Sequence, residues 1–342
     1  MKNILLNLRF YILCLVLSLS SCSDEGVAQP AQQMLHLAKG ADVSWITEME
    51  ASGVQFYNTG GTSVDGMKLV QSLGVDAVRL RVWVNPKNGW SSKDDVLMKA
   101  RRAKHLGMRI LIDFHYSDTW ADPGQQTKPV AWVNLSFDEL KIAVAKHSTE
   151  VLQLLKDNGI SPEWVQVGNE TGNGMLWEDG KASVNMANYA ALNNAGYDAV
   201  KTVFPNSKVI VHLQNGQDNN LFRWLFDGLK DNGGKWDVVG MSLYPSPENW
   251  KEYNTAIVAN MKDMIGRYQK EVMICEVGMS WDQEEIAELW LHELFEAANQ
   301  IPNNKVLGVF YWEPLAYGGW NGYTLGAFDN NGRPTKIWNA FK

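Results

Sequence analysis

The sequence is poor in cysteine and has no concentrated positive charge. Its 342 residues include 3 cysteines, and 31 lysines and arginines against 38 aspartates and glutamates give a formal net charge of −7. Binding to nucleic-acid phosphates needs a clustered basic surface. Because no block of lysine or arginine occurs, a nucleic-acid partner is disfavoured. The balance of 45% apolar and 20% charged residues is typical of a soluble globular protein, not of a disordered or membrane-spanning one.

Several motifs that would indicate other enzyme classes are absent. There is neither G-x-G-x-x-G nor G-x-x-x-x-G-K-[ST], so the glycine-rich phosphate loop of an open, doubly wound sheet is missing. No G-x-S-x-G elbow occurs, which leaves a serine esterase unsupported. His292-Glu293 lacks the second histidine of H-E-x-x-H, so we expect no zinc site there.

The N-terminal segment is predicted to lie outside the folded domain. A basic start precedes an apolar stretch at 11–19 that is too short to span a bilayer. The Leu-Ser-Ser-Cys that follows resembles a bacterial lipoprotein cleavage box. Residues 1–21 are therefore predicted to be a signal peptide, Cys22 the lipidated first residue, and 22–37 a polar tether; a plain secretory signal cut nearby is the alternative. The acidic residues after Cys22 favour a lipoprotein of the bacterial outer membrane that is exposed at the cell surface.

The cysteine count limits how such a domain is stabilised. Cys14 would leave with the signal peptide and Cys22 would carry lipid, so the folded part keeps only Cys275. No intrachain disulfide is then possible in the mature domain. An exported domain without disulfides needs a large buried core, which about 300 residues can provide.

After residue 38, short apolar runs alternate with longer amphipathic ones. The apolar runs are rich in valine and isoleucine and mostly lack polar alternation, as expected for strands covered on both faces. They lie at 41–46, 77–84, 109–116, 164–170, 208–214, 237–245, 272–278 and 308–314. Helices are predicted at 64–73, 92–106, 136–157, 185–203, 219–231, 249–269, 283–299 and 334–341. This alternation predicts a single (β/α)8 TIM barrel, an α/β fold, over residues 38–342.

Polar or aromatic residues close six of the apolar runs. In a (β/α)8 barrel the active site lies at the C-terminal ends of the strands, so these side chains are expected to meet at one mouth. They include Arg79, Arg81, Trp83, Asp113, His115, Asn169, Glu170, Tyr244, Glu276 and Trp312. Filling of the core alone would not place polar residues so consistently at strand ends.

Glu170 and Glu276 close the fourth and seventh runs, which lie nearly across such a barrel from each other. Glycoside hydrolysis requires two carboxyls at one cleft: one protonates the leaving oxygen, and the other attacks the anomeric carbon or activates water. Arg79 or Arg81 near Glu276 would keep that carboxylate ionised. The surroundings of Glu170 should raise its pKa, so that it carries a proton. The alternative is that both glutamates are solvated rim residues.

Asn169 directly precedes Glu170, and adjacent strand residues point to opposite faces. The two side chains can share the cleft only if the strand bulges or ends there, which the glycines at 172 and 174 favour. In that case Asn169 is positioned to bond the sugar 2-hydroxyl, a bond that strengthens in the transition state.

Several longer motifs resemble glycoside hydrolase family 53, within the clan of retaining (β/α)8 glycosidases. They are GADVSW (40–45), LRVWVNP (80–86), DFHYSDTWADPGQQTKP (113–129), VQVGNE (165–170) and GVFYWEP (308–314). The resemblance covers about 38–342, and the stretch from Asp113 is long and specific. It implies an endo-β-1,4-galactanase that acts on arabinogalactan and on the galactan side chains of pectin.

The resemblance also implies residue roles. Glu170 would be the acid/base and Glu276 the nucleophile. The subsite of cleavage would be lined by Asn169, Arg81, His115, Tyr244 and Trp312, with Trp83 and Trp120 as candidates along the groove. A core histidine bonded to its neighbours is the alternative for His115. The clan further suggests a cis peptide after Trp312.

One departure from the family concerns metal. Some bacterial members have a long calcium-binding loop, rich in Asp and Asn, after strand seven. Here only VGMSWDQ (277–283) separates Glu276 from the next helix. Six to eight oxygen ligands are hard to assemble from so short a loop. We therefore expect no calcium at that position and no cofactor.

Two other functions remain open from the sequence. The same barrel is compatible with another β-1,4-linked glycan such as mannan, since fold does not fix function. A surface lipoprotein that binds glycan without cleaving it is the second alternative. We expect a monomer whose partner is β-1,4-galactan and whose membrane contact is the lipid anchor alone.

Overall fold

Eight parallel strands close into a barrel in the computed structural model, which describes residues 36–342. The strands, numbered β1 to β8, are Ala38–Asp42, Ala77–Val82, Arg109–Phe114, Trp164–Val167, Lys208–Leu213, Val238–Leu243, Glu271–Val277 and Val306–Tyr311. Each pairs with its sequence neighbours, and β1 pairs with β8 to close the ring. The predicted signal peptide, the lipidation site Cys22 and most of the predicted tether lie outside the described residues.

Helices connect the strands on the outside of the barrel. They are α1 Ile46–Ala51, α2 Gly66–Ser72, α3 Lys93–His105, α4 Phe137–Asp157, α5 Met186–Val203, α6 Asn219–Asp231, α7 Trp250–Tyr268 and α8 Glu284–Asn299, and a 3₁₀ segment, Lys336–Phe341, follows β8. The predicted (β/α)8 barrel is confirmed, and α2 to α8 lie where the periodicity predicts them. Within residues 36–342, no helix is both long enough and apolar enough to cross a membrane.

The start of the barrel differs from the prediction. The pattern predicts a strand over 41–46, but β1 ends at Asp42. The Asp42 carboxylate accepts hydrogen bonds from the Ser44 backbone N–H (2.9 Å) and hydroxyl (2.6 Å), which turns the chain. The helix α1 then begins within the predicted strand, and a short hairpin pairs Phe56–Tyr57 with Ser63–Val64. The sequence analysis anticipates neither element.

Side-chain caps define where several helices start. Ser136 accepts from the Glu139 N–H, and the Glu139 carboxylate accepts in return from the Ser136 N–H at 2.8 Å, a capping box. Asp65, Ser92 and Asp218 cap α2, α3 and α6. These helix N-termini lie on the same side of the barrel as the strand C-termini. The caps therefore fix the residues at which the loops around the mouth end.

The barrel interior contains two chemically different layers. One is apolar and includes the first residues of several strands; within it the rings of Trp164 and Phe310 meet edge to face at 6.0 Å. Gly40 makes room for Phe310, because a Cβ at position 40 would overlap its ring. The other layer lies toward the strand C-termini and contains the buried polar residues Asp42, Arg79, Asp113, Gln166, His212, Ser242 and Glu276. The polar layer forms the floor of the site.

Candidate active site

Glu170 and Glu276 line one cleft at the C-terminal ends of the strands. Glu170 lies three residues beyond the end of β4, and Glu276 is the second-last residue of β7. The cleft has a volume of about 360 Å³. Its lining residues are His115, Trp120, Ala121, Asp122, Asn169, Glu170, Tyr244, Glu276, Trp312, Tyr323 and Leu325. The two predicted carboxyls are thus brought to a single concave site.

Asn169 reaches the same cleft because the strand ends before it. The last strand residue is Val167, Gly168 has φ +82°, and Glu170 has φ +46°, so the alternation of a pleated strand no longer applies. The Asn169 amide donates to the Ala121 carbonyl at 2.9 Å. The predicted strand end is confirmed. The place of Asn169 in the cleft agrees with the predicted contact to a sugar hydroxyl.

Arg79 is the centre of the polar layer beneath the cleft. Its guanidinium contacts Asp42 and Asp113 at 2.8 Å each, Glu276 at 2.9 Å, and the amide oxygen of Asn169 at 2.8 Å. Burial opposes a charge on this side chain, but the three carboxylates raise the pKa of Arg79 well above its ordinary value. One permanent cation therefore contacts both the Glu276 carboxylate and the Asn169 amide.

Glu276 is held by donors on both of its oxygens. Arg79 contacts Oε1, and the Tyr244 hydroxyl donates to Oε2 at 2.8 Å. Burial raises the pKa of Glu276, and the charge of Glu170 adds to this, whereas the guanidinium of Arg79 and the hydrogen bond from Tyr244 lower it. These are the contacts that a carboxylate, rather than a carboxylic acid, prefers.

Glu170 has a less charged environment. It accepts one hydrogen bond, from the Ser242 hydroxyl at 2.7 Å, and Ser242 in turn lies 2.8 Å from Nε2 of His212. Burial raises the pKa of Glu170 above its ordinary value, and the hydrogen bond from Ser242 offsets only part of this. Burial and Arg79 lower the pKa of His212 well below its ordinary value, so this imidazole is neutral.

Burial opposes ionisation of both carboxyls, and the charge of one opposes ionisation of the other, so we expect the pair to share one proton. Burial raises the pKa of both carboxyls, and the contacts decide which one keeps the proton. A direct ion pair with a buried guanidinium favours the charged form far more than one neutral hydroxyl does. We accordingly place the charge on Glu276 and the proton on Glu170, a division that suits a nucleophile and a general acid.

A second cavity of about 640 Å³ extends the cleft across an aromatic surface. Trp120, Trp312 and Tyr323 line both cavities, so the two are continuous. Trp45, Trp83 and Trp90 line the second cavity. The structure thus places Trp83 along the extension and Trp120 at the junction, as the groove prediction requires.

The structure does not place Arg81 in the cleavage subsite, where the resemblance assigns it. Its side chain lines neither cavity and is 1% exposed. Its guanidinium lies beneath the aromatic surface, 4.2 Å from the Trp120 ring centroid and 4.9 Å from that of Trp83. Arg79, which is two residues earlier and deeper in the barrel, contacts Glu276 instead.

His115 and Trp312 both line the cleft. His115 is hydrogen-bonded inward, through Nε2 to Asp113 at 3.0 Å, and its Nδ1 accepts from the Ala121 N–H at 3.1 Å. The expected cis peptide after Trp312 is wrong: within residues 36–342 the cis bond is Trp177–Glu178. Glu313 has φ +43° instead, which turns its side chain away from Trp312 into the interior.

Several residues of the floor and the cleft are not identified from the sequence. Gln166 donates to Asp113 at 2.6 Å in the floor, and His212 and Ser242 lead to Glu170. Each is a polar residue inside an apolar run, near its C-terminal end. That position is the signal that identifies them, because such residues face the barrel interior just below the mouth. Tyr323 also lines the cleft, but it lies in a long loop after β8 where no pattern points to it.

The loop after β7 is short in the structure, as its sequence indicates. The chain leaves β7 at Val277, and a 3₁₀ turn, Trp281–Gln283, leads directly into α8. Across residues 36–342, no three His, Cys, Asp or Glu side chains are placed together as metal ligands. The absence of calcium at this loop stays a prediction, which the calcium content of metal-stripped, re-dialysed protein would test.

Comparisons with known proteins agree with this geometry. The model of Glycosyl hydrolase family 53 matches residues 38–341. An arabinogalactan endo-β-1,4-galactanase of Cellvibrio japonicus is 32% identical over 313 residues, covering 80% of this chain and 79% of that protein. An endo-β-1,4-galactanase of Bacillus subtilis is 30% identical over 345 residues, covering 86% and 78%.

Solved structures show the same similarity. A fungal β-1,4-galactanase superposes with a TM-score of 0.81 at 29% identity, covering 89% of this chain and 98% of that one. The family 53 catalytic domain of Ignisphaera aggregans gives a TM-score of 0.81 at 28% identity, covering 92% and 98%. With a family model that spans the whole barrel and both carboxyls in one cleft, the chain belongs to glycosyl hydrolase family 53.

Proposed function

We propose that the protein is an endo-acting, retaining glycoside hydrolase that cleaves β-1,4-galactosidic bonds in galactan and arabinogalactan. The observation that carries this proposal is the unequal pair of carboxyls in one cleft. Glu276 contacts a buried guanidinium, whereas Glu170 is buried against a neutral hydroxyl. Acid catalysis and nucleophilic attack need this division of protonation between two groups.

The reaction follows from these contacts. Glu170 donates its proton to the glycosidic oxygen while Glu276 attacks the anomeric carbon, which forms a glycosyl ester and releases the aglycone. Glu170, now ionised, then takes a proton from water, and that water displaces Glu276 with retention of configuration. Arg79 and Tyr244 keep Glu276 charged and oriented before attack. Ser242 fixes the carboxyl of Glu170 through the two steps.

Two observations support galactan as the substrate and an endo mode of action. The relatives named above are themselves β-1,4-galactanases, and those of Bacillus subtilis and Cellvibrio japonicus are 30% and 32% identical to this chain. The cleft also continues into an open aromatic cavity, so a polymer chain can extend beyond the cleaved bond. Flat tryptophan surfaces suit the apolar faces of successive sugar rings.

Product sizing on defined polymers tests the proposal. Linear β-1,4-galactan, mannan, xylan and glucan are digested in parallel with the wild-type chain and with Glu276→Ala. We expect short galacto-oligosaccharides early from galactan alone, and none from the variant. Cleavage of mannan instead would keep the mechanism and overturn the substrate. Binding of galactan without cleavage of any polymer would make this a capture protein and remove the catalytic roles.

We also propose that the enzyme is a monomer anchored by lipid on Cys22 at the outer face of the bacterial outer membrane. The support is the apolar stretch at 11–19 followed by Leu-Ser-Ser-Cys. Labelling of cells with a fatty-acid analogue should mark the wild-type chain and not Cys22→Ser. External protease should then digest the labelled protein on intact cells. Label retained in Cys22→Ser would exclude this anchor.

A further inference from the structure

A separate cavity lies at the opposite end of the barrel from the glutamates. It has a volume of about 380 Å³ and is formed where α6 and α7 end and the chain approaches β6. Its lining residues are Tyr197, Lys230, Gly234, Lys235, Trp236, Arg267, Tyr268 and Lys270. Because these residues lie in the C-terminal halves of helices or directly before β6 and β7, the cavity opens on the N-terminal face of the barrel, away from the catalytic cleft.

The charge of this cavity differs from that of the chain. Four of its lining residues are cationic and none is acidic, in a chain of net charge −7. Lys235 and Arg267 pair with Asp198 and Asp227 on the surrounding helices. Among residues 36–342, no carboxylate lies within 4.0 Å of the ammonium group of Lys230 or Lys270. Two cations are thus available to an incoming anion.

A second basic cavity adjoins the first through Lys270. It has a volume of about 390 Å³ and is lined by Lys201, Lys208, Asp237, Gln269, Lys270, Glu271 and Lys305. Its two carboxylates pair with lysines, Asp237 with Lys201 at 2.7 Å and Glu271 with Lys208 at 2.6 Å. The two cavities thus share Lys270, and cationic side chains line both, so an elongated anionic ligand could contact both.

Aromatic rings distinguish the first cavity from a simple cluster of lysines. Trp236 is 6% exposed, and Lys270 lies 6.0 Å from its ring centroid. Its indole N–H is buried without a hydrogen-bond acceptor among the described residues, an arrangement that is rare in folded proteins. Tyr197 and Tyr268 also line the cavity and are partly exposed, and their hydroxyls donate to Asp237 and Asp227.

We propose that these two cavities, which we call the basal groove, bind an acidic polysaccharide with a carboxylate on its sugar rings. The unpaired lysines would receive the carboxylates in charge-assisted hydrogen bonds. The partly exposed rings of Tyr197 and Tyr268 would contact the apolar face of a pyranose, a contact that a bare inorganic anion does not need. The site is distinct from the catalytic cleft, and it would hold an acidic glycan while the opposite face acts on a neutral one.

Binding of polygalacturonate is the direct test, by calorimetry and by retardation in affinity gels. The variant is Lys230→Glu combined with Lys270→Glu. The control is Lys104→Glu combined with Lys146→Glu, which makes the same charge change at exposed lysines that line neither basal cavity. We expect about tenfold weaker binding in the first variant and unchanged binding in the control. Binding should also be lost at about 1 M salt, where the screening length is about 3 Å.

The remaining arms separate this proposal from others. Hydrolysis of linear galactan should be equal in wild type and both variants, so a failure of catalysis does not affect the binding result. Equal affinity of the two variants for polygalacturonate would overturn the proposal, as would no binding by the wild type at low salt. Binding to vesicles of anionic phospholipid, with none to polygalacturonate, would reassign the groove to a membrane surface and also overturn it.

Discussion

Arg79 and Arg81 lie on the same strand and the same face, two residues apart, yet they serve different regions of the site. Arg79 is in the polar floor, where it contacts three carboxylates within 2.9 Å. Arg81 lies one layer higher, where its guanidinium contacts tryptophan rings. Its one carboxylate contact, with Glu313, is 3.5 Å long. Strand parity gives both residues the same direction, and their height along the barrel axis determines what they contact.

The difference shows why one arginine acts electrostatically and the other acts through packing. The floor contains carboxylates from three strands, so a cation there controls which of them are ionised. The upper layer is built of aromatic residues from the loops, and a guanidinium stacks well on such faces. Substitutions at the two positions should therefore have unlike effects on pH dependence, kcat and KM.

Replacement of Arg79 should have the largest effect. Arg79→Met leaves three buried carboxylates without their cation, so we expect a loss of about 3–5 kcal/mol in unfolding free energy. Activity should fall about 10²–10³-fold, because Glu276 loses its main stabilising contact. Arg79→Lys is the control: it keeps the charge without the fork geometry, so stability should recover more than activity.

The stability loss in Arg79→Met should depend on pH. Without the guanidinium, burial raises the pKa of the floor carboxyls, and a group with a raised folded pKa favours the folded state only while it is protonated. The deficit should be smallest at acid pH and should grow as pH rises through those pKa values. Urea unfolding at several pH values measures this; a deficit independent of pH would mean that the floor carboxyls are not controlled by Arg79.

Arg81→Met should have a smaller effect of another kind. It removes cation–π contacts with Trp120 and Trp83, and it costs about 1–2 kcal/mol of stability if each contact contributes about 0.5–1 kcal/mol. We expect kcat to change little and KM for galactan to rise, since the aromatic surface is loosened. Steady-state kinetics on galactan gives both values. A fall in kcat as large as that of Arg79→Met would restore Arg81 to the cleavage subsite.

The same two arginines mark how far the sequence predicts the site. Period and run length identify the barrel, because strands buried on both faces are continuous apolar runs. Parity also groups Arg79 with Arg81, but height depends on barrel stagger, which no single strand encodes. The resemblance assigns Arg81 to the subsite, whereas it is Arg79 that contacts Glu276. The turn at Asp42 is likewise set by one side-chain bond to Ser44 that an apolar pattern does not reveal.

Ser242→Ala should change the pH profile and little else. The hydroxyl donates to Glu170 and lowers its pKa, so its removal raises that pKa. Activity needs protonated Glu170 and is lost as pH rises through its pKa, so the alkaline limb should move to higher pH. A hydrogen bond of about 0.5–1.5 kcal/mol corresponds to a shift of up to about one pH unit.

The matched control for Ser242→Ala is Ser148→Ala. Ser148 is also buried, and its hydroxyl lies 2.8 Å from that of Tyr116, away from the carboxyl pair. Its removal should reduce stability by a comparable amount without moving the pH profile of kcat/KM. If both variants shift the alkaline limb equally, Ser242 does not act through Glu170.

Glu313→Gln should have the smallest effect, and it tests the upper region directly. Glu313 is fully buried, and burial raises its pKa well above the ordinary value, which favours the neutral carboxyl over the longer contact with Arg81. It accepts from the Trp45 N–H at 3.0 Å, which a glutamine oxygen of the same shape can also do. We expect a change of less than about 1 kcal/mol in unfolding free energy. A loss of about 3–5 kcal/mol would instead identify a charged Glu313 paired with Arg81, and the upper layer would then resemble the floor.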